Sequence, residues 1–153
     1  MEKEQYLAAL RSSVSEFDEL RKQDPDAKID ISSTDLSGAD LQGAPLLRVD
    51  LRDVNFEGAD LTKANLSRAE MSGAKFKDAK LIDVNFHRAE LQGADMRGAI
   101  LGGVDGEGQM CLHPCLFNGT RWGKEEMDSF LKILNQNEDW EIRYELVPKA
   151  RNA

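Results

Sequence analysis

Cysteine, aromatic residues and long apolar runs are all scarce in this chain of 153 residues. Two cysteines cannot build a disulfide scaffold, which indicates a reducing compartment, and we expect a cytoplasmic protein. No apolar stretch approaches the roughly 18 residues of a membrane-spanning helix, and the polar start of the chain shows no secretory signal. The chain has only 20 Lys and Arg against 28 Asp and Glu. We therefore expect no direct nucleic acid binding, which needs clustered Lys and Arg side chains.

What the sequence does have is a period of five. An apolar residue recurs at every fifth position from Ile31 to Leu101, and a small or β-branched residue stands two positions before each of them. Helices and strands repeat every 3.6 and 2 residues, so neither keeps these positions on one face. All of them can lie inside only if the backbone turns a corner every five residues. Four corners then close one coil of twenty residues, and glycine at many corners suits such turns.

Fifteen copies of the motif Ala-(Asp/Asn)-Leu-x-x follow one another in phase, as in Ala39-Asp40-Leu41. This repetition resembles the pentapeptide repeat family. The resemblance implies a mainly β fold, a right-handed quadrilateral β-helix. A helical bundle rich in Ala and Leu is a poor alternative, because it explains neither the glycine content nor the phase. We expect the β-helix to span residues 29–123.

The strict phase breaks at Val104–Gln109. If one residue is inserted there, the pattern resumes with Leu112, Phe117 and Trp122 as the last three core positions. The β-helix would then contain a little under five coils, so we expect a short rod rather than a long filament.

Residues 1–28 are expected to form an N-terminal helical cap, because a solenoid exposes its core at each end. The apolar residues of Gln5–Lys22 follow three- and four-residue steps and predict one amphipathic helix, which Asp24-Pro25 ends. A cap over the first coil is the main interpretation. A helix that docks a partner is the other.

Residues 124–153 are expected to form a C-terminal helix plus strand. Lys124–Gln136 predicts the helix, and the alternation in Trp140–Leu146 predicts a half-buried strand. The strand could pair with the last coil, with a second subunit in a homodimer, or with a partner protein. The side chains expected at this cap or dimer interface are Phe130, Leu134, Trp140, Ile142 and Tyr144.

Cys111, His113 and Cys115 form the one cluster that has the character of a metal site. Zinc sites normally add a distant second ligand pair, which is lacking here, and the resumed phase sends the two sulfur atoms to different sides of the wall. We therefore expect no metal and no other cofactor. No nucleophile with a base and no phosphate-binding loop can be found, so we expect no enzyme.

Outward residues twenty positions apart should stack on the same wall. The sequence thereby places three arginines in one column and three acids in the next, namely Arg48, Arg68 and Arg88 beside Asp50, Glu70 and Glu90. Two interpretations remain open. The columns form exposed corner ion pairs worth about 0–1 kcal/mol each, or they form a bipolar surface that binds a protein partner.

The function that fits these observations best is a non-catalytic protein–protein interaction module or scaffold with an unidentified protein partner. The family resemblance implies an alternative, a DNA-mimicking modulator or protector of a type II topoisomerase, because some family members resemble DNA in shape and charge. The short rod, the mainly leucine core and the interruption of the acidic surface by arginines all weaken that alternative.

Overall fold

A computed structural model describes residues 3–102 and 120–134 of the chain. Two helices come first, α1 (Lys3–Ser12) and α2 (Val14–Gln23). The repeat region follows with two short parallel strands, β1 (Lys80–Leu81) and β2 (Ile100–Leu101), and helix α3 (Lys124–Leu134) comes last. Within these two described stretches, no helix is long and apolar enough to cross a membrane.

The repeat region has four walls, because the residue at the centre of each wall pairs with the residue twenty positions later. The four columns of pairs are Asp30, Asp50, Glu70 and Glu90; Asp35, Asn55, Lys75 and Asp95; Asp40, Asp60, Lys80 and Ile100; and Pro45, Asn65 and Asn85. All pairs are parallel, and most are isolated bridges rather than parts of longer strands. The predicted coil of twenty residues is confirmed, and its β character lies in this ladder.

The core lies along the axis of the coils. Every fifth residue from Ile31 to Met96 is buried, and so is the residue two positions before it from Ala44 to Ala99. The rings of Phe56 and Phe76, on successive coils, stack at 5.2 Å between centroids and 12° between planes. The predicted core is therefore confirmed over this range, whereas Thr34, Ala39 and Leu101, near its two ends, are only half-buried. Each large buried side chain contributes about 1.5–3 kcal/mol.

Each corner is a four-residue turn whose third residue has a positive φ. At one corner the N–H of Val49 donates to the carbonyl of Leu46 at 3.3 Å, and Arg48 has a φ of 59°, as in a type II turn. Fourteen successive corners share this positive φ at the third residue, and the eight that lack glycine are Ser33, Arg48, Asp53, Lys63, Arg68, Asp78, Asp83 and Arg88. A residue with a Cβ in this region costs about 1–2 kcal/mol.

Asp and Asn at the wall centres bind their own corners. Their side-chain oxygens accept a hydrogen bond from the backbone N–H two residues later, at 2.9–3.3 Å. This holds for Asp30, Asp35, Asp40, Asp50, Asn55, Asp60, Asn65, Asn85 and Asp95. Each bond satisfies the first N–H of a turn, where Asp and Asn side chains are favoured. These acids therefore have a structural role at the corner.

The N-terminal segment forms two helices, so the prediction of one helix over Gln5–Lys22 is wrong. The chain is extended at Ser13, whose Oγ accepts a hydrogen bond from the N–H of Glu16 at 3.1 Å. A Ser followed three residues later by Glu is a known helix-start pattern, and it interrupts the apolar periodicity here. The buried side chains of the two helices join the core of the repeat region; they are Tyr6, Leu7, Ala9, Leu10 and Phe17.

The chain rejoins the walls at Arg121, which pairs with Asp95. Trp122 packs against the core as predicted, but it follows Arg121 into the column of Met96. An insertion of one residue would place it in the column of Leu101, so that predicted register is wrong. The step from Asp95 to Arg121 is 26 residues instead of 20, which is one whole pentapeptide and one further residue more than a regular coil.

Of three further predictions for this end of the chain, the described residues cover only part of one. Helix α3 begins at Lys124 as predicted and is described as far as Leu134. The predicted core positions Leu112 and Phe117 lie outside the described residues, and so does the predicted strand Trp140–Leu146.

Gly73 lies against an acid of the preceding coil, and this contact yields a stability prediction. A Cβ at Gly73 would overlap Oδ1 of Asp53, whereas a Cβ at Gly58, which has a similar positive φ, would meet nothing within 4 Å. We expect Gly58→Ala to lower the free energy of unfolding by about 1 kcal/mol through backbone strain alone. Gly73→Ala should cost about 0.5 kcal/mol more, because the exposed carboxylate of Asp53 must leave its present rotamer. Urea denaturation followed by circular dichroism measures both values.

The control is the same substitution without the acid. In an Asp53→Gly background, Gly73→Ala should cost no more than Gly58→Ala costs in the original chain. Equal costs for the two alanine variants in the original chain would contradict the contact.

Candidate functional site

Three arginines stack at the same corner of three successive coils, and we call Arg48, Arg68 and Arg88 the arginine column. Each is the third residue of its turn, with a φ of 58–59°, and each is exposed. The N–H of Arg48 donates to the carbonyl of Ser67 at 3.0 Å, and the N–H of Arg68 donates to the carbonyl of His87 at 2.8 Å. The corners therefore lie one above another, about 4.8 Å apart. The predicted column is confirmed as a geometric feature.

The acids two residues later are Asp50, Glu70 and Glu90, and we call them the acidic column. Parallel bridges join each to the next. Asp50 faces its own corner, because it accepts from the N–H of Arg52 and binds the Arg52 guanidinium at 2.5 Å. The hydrogen bond from the Arg52 side chain holds the pKa of Asp50 below its usual range, against the opposing effect of burial.

Glu70 and Glu90 differ from the aspartates of their column. Both are exposed, and neither caps its own turn in the part of the chain that the structure describes. The carboxylate of Glu70 has one distant basic neighbour, Nε of Arg52 at 3.8 Å. The extra methylene of glutamate thus leaves these two charges in solvent, whereas the shorter side chain of aspartate would bind the backbone of the corner.

The predicted ladder of corner ion pairs does not form. Across residues 3–102 and 120–134, no carboxylate lies within 4.0 Å of the guanidinium groups of the arginine column. Asp50 binds Arg52 instead, which follows it across the next corner. Other ion pairs join successive coils, such as Lys80 with Asp60 at 3.1 Å. The interpretation that the arginines of one column pair with the acids of the next is therefore wrong.

A groove of about 590 Å³ lies at the N-terminal end of both columns, beside the segment that joins α2 to the repeat. Charges of both signs line it, namely Arg21, Lys28 and Arg48 with Asp26, Asp30, Asp50 and Glu70. Burial lowers the pKa of Arg21, and the nearby Arg48 lowers it further, while Asp18 raises it. Sequence reasoning did not find Arg21 and Lys28, because they precede the repeat and its phase does not place them.

The remaining predicted site residues have no described side chains. Within the two described stretches, no group of three or more His, Cys, Asp or Glu could hold a metal ion. The cluster of Cys111, His113 and Cys115 lies outside the described residues. The same holds for Trp140, Ile142 and Tyr144, and for the side chains of Phe130 and Leu134 on α3.

Comparison with known proteins gives a family match. The family model for pentapeptide repeats matches residues 29–68 and 69–105 with eight copies, which together make up half of the chain. No curated protein sequence matches the chain.

Similar solved structures are also pentapeptide repeat proteins. One comes from the cyanobacterium Cyanothece 51142, at 26% identity and a TM-score of 0.46 over 62% of this chain and 57% of that one. A second comes from the thylakoid lumen of Arabidopsis thaliana, at 27% identity and 0.44 over 60% and 59%. A third is HetL of Nostoc sp. strain PCC 7120, involved in heterocyst differentiation regulation, at 27% and 0.32 over 60% and 38%. The chain spans less than two thirds of each of these structures.

Proposed function

Because this chain belongs to the pentapeptide repeat family, whose fold is a right-handed quadrilateral β-helix, we propose that it is a non-catalytic protein–protein interaction module or scaffold. Its docking surface consists of the arginine column, the acidic column and the groove at their N-terminal end. The observation that supports this function is the arginine column itself, with three exposed guanidinium groups that have no carboxylate within 4.0 Å in the described part of the chain.

The arginine column reduces the stability of the isolated chain in two ways. Each arginine holds a left-handed backbone that glycine would adopt without strain, at a cost of about 1–2 kcal/mol. The like charges of arginines on neighbouring coils also repel one another. Ion pairs within residues 3–102 and 120–134 do not offset either cost, in contrast to Arg52, Arg97 and Arg121, which all bind carboxylates. A contact outside the chain would offset both.

Two adjacent columns of opposite sign are suited to recognition by charge. Such a surface attracts a partner of complementary pattern, accelerates the encounter and sets the orientation of the complex. Each exposed pair adds little affinity alone, so the affinity should depend on several pairs made together and should fall as salt rises.

The alternative of a DNA-mimicking modulator or protector of a type II topoisomerase has no comparable support. A DNA mimic needs a continuous surface of exposed negative charge in place of phosphates. Here the aspartates of the wall centres turn towards their own corners, and the arginine column runs beside Glu70 and Glu90. Part of the negative charge is therefore engaged by backbone N–H groups, and arginines interrupt the rest.

The test is affinity capture from the native host with charge-reversed bait. We expect the triple variant Arg48→Glu, Arg68→Glu and Arg88→Glu to recover at least tenfold less of the specific partner than the original chain, because its docking surface is then acidic throughout. Quantitative mass spectrometry measures the recovery, and circular dichroism checks that the fold is retained.

A matched control separates the surface from the net charge. Lys63→Glu, Lys75→Glu and Lys124→Glu give the same net charge, and these three lysines are exposed elsewhere on the molecule. This control should recover the partner as the original chain does. Equal recovery by the two triple variants would contradict the proposed docking surface.

A further inference from the structure

Four charges on two successive coils are not neutralised within the described chain. Arg68 and Arg88 have no ion-pair partner there, Glu90 has none, and Glu70 has only the distant Arg52 at 3.8 Å. The two arginines stack on one corner, and the two glutamates stack at the centre of the adjoining wall. Asp50 differs because Arg52 already binds it. The charges available for an external contact thus form a block of two positive and two negative groups.

The spacing of this block restricts what can match it. Successive coils are about 4.8 Å apart, so the like charges repeat at that interval along the axis. An extended peptide repeats the side chains of one face about every 6.6–6.8 Å, so its acids fall out of step with the arginines. Another β-helix of the same family repeats its charges at the same interval as this one.

The order of the two columns also selects a symmetry. A twofold axis parallel to the β-helix axis, beside this corner, places the arginines of one copy opposite the glutamates of the other, with the coils level. The contact is then made twice, as in any isologous interface. A twofold axis perpendicular to the β-helix axis would place arginine opposite arginine. The charge pattern therefore permits only the parallel arrangement.

We propose that the partner which fits this surface is a second copy of the chain, aligned side by side and parallel. This inference rests on the proposed function, because it uses the same docking surface and names its occupant. Arg68 of each copy then pairs with Glu70 of the other, and Arg88 pairs with Glu90. The contact differs from the homodimer through the C-terminal helix and strand that the sequence predicts, since it needs no residue beyond Glu90.

The dimer should be weak and should depend on salt in a specific way. Exposed pairs contribute little each, so sedimentation equilibrium is run at about 0.5 mM protein, in the range of weak dissociation constants. Ionic strength of about 0.1 M gives a Debye length of about 10 Å, which screens repulsion between two copies of net charge −8 but not contact pairs. Raising the salt to about 1 M, where the Debye length is about 3 Å, should return the mass to that of a single chain.

Two variants test the arrangement. The half-reversed variant carries Arg68→Glu and Arg88→Glu, and we expect its dissociation constant to rise at least tenfold. The column-swapped variant adds Glu70→Arg and Glu90→Arg, which restores the composition and net charge of the original chain. It should dimerise with itself as the original chain does, but the two should not form mixed dimers, because arginine would then face arginine. Native mass spectrometry with an isotope-labelled chain detects mixed dimers.

A single-chain mass for the original protein at about 0.1 M salt would overturn the inference, as would an unchanged dimer in the half-reversed variant or free mixing with the column-swapped variant. These results do not bear on the proposed function. If the chain is monomeric but recovery of another protein depends on the arginine column, the proposed function stands and this inference fails. If reversing the column leaves both self-association and partner recovery unchanged, both fail.

Discussion

Replacing Phe76 with alanine is expected to lower the free energy of unfolding by about 3–5 kcal/mol. Phe76 is fully buried on the axis and stacks on Phe56 of the preceding coil at 5.2 Å. The substitution removes the apolar contact and leaves a cavity between Phe56 and Met96, the residues twenty positions before and after. Each coil contacts only its neighbours in a solenoid, so the loss weakens the packing of this coil against the coils before and after it. Urea denaturation followed by circular dichroism measures the change.

Two further variants test whether the lost volume and the lost ring stacking account for the destabilisation by Phe76→Ala. Phe76→Leu keeps most of the volume, and leucine already occupies this column at Leu36, so it should cost less than about 1.5 kcal/mol. A double-mutant cycle with Phe56→Leu should show a coupling of about 0.5–1.5 kcal/mol from the stacked rings. A loss below about 1.5 kcal/mol for Phe76→Ala would contradict a closely packed axis.

The coil and its core could be predicted from the sequence because one geometric rule governs both. A side chain that returns inside every fifth residue requires a corner at every fifth residue, so the period alone determines which residues are buried. The same rule predicts the columns, and Arg48, Arg68 and Arg88 do stack. The turn at each corner and the packing of the core favour the same coil. A single departure from the motif, such as Pro45 at a wall centre, therefore does not disrupt it.

The partners of the charged groups could not be predicted in the same way. The period places Asp50 two residues from both Arg48 and Arg52, and only the side-chain geometry decides that it binds Arg52. The helix break at Ser13 did have a signal, the Glu at position 16, but the apolar periodicity runs across it. The register at Arg121 had no such signal, since the five-residue phase is the same whether the last step is longer than twenty by one residue or by six.

Replacing Asp95 with alanine is expected to release the C-terminal segment from the walls. Among the described residues Asp95 is the one buried charged side chain. It accepts hydrogen bonds from the Arg97 side chain at 2.8 and 2.6 Å and forms an ion pair with Arg121 at 2.9 Å. The lost charge-assisted bonds and turn cap amount to about 2–3 kcal/mol. Amide hydrogen exchange in residues 120–134 should therefore accelerate about 30-fold or more.

The pH dependence should agree with this result. The hydrogen bond from the Arg97 side chain lowers the pKa of Asp95, and Arg121 lowers it further, while burial opposes both. A carboxyl group whose folded pKa is depressed stabilises the fold above its unfolded pKa, and this contribution is lost as the pH falls through the folded value. Protection of residues 120–134 should thus be unchanged between about pH 7 and pH 5 and should fall below about pH 4.

Asp60 provides the matched comparison for Asp95, because it also caps a turn and binds a base, Lys80 at 3.1 Å. In the described part of the chain it binds no segment beyond the next coil. Asp60→Ala should lower the stability of the β-helix without a selective acceleration of amide hydrogen exchange in residues 120–134. Asp95→Asn should give an intermediate effect, since asparagine still caps the turn, as Asn55 does. If Trp122 instead lay in the column of Leu101, Arg121 would be opposite Ile100, and replacing Asp95 would leave exchange in the segment unchanged. The experiment therefore distinguishes the two registers directly.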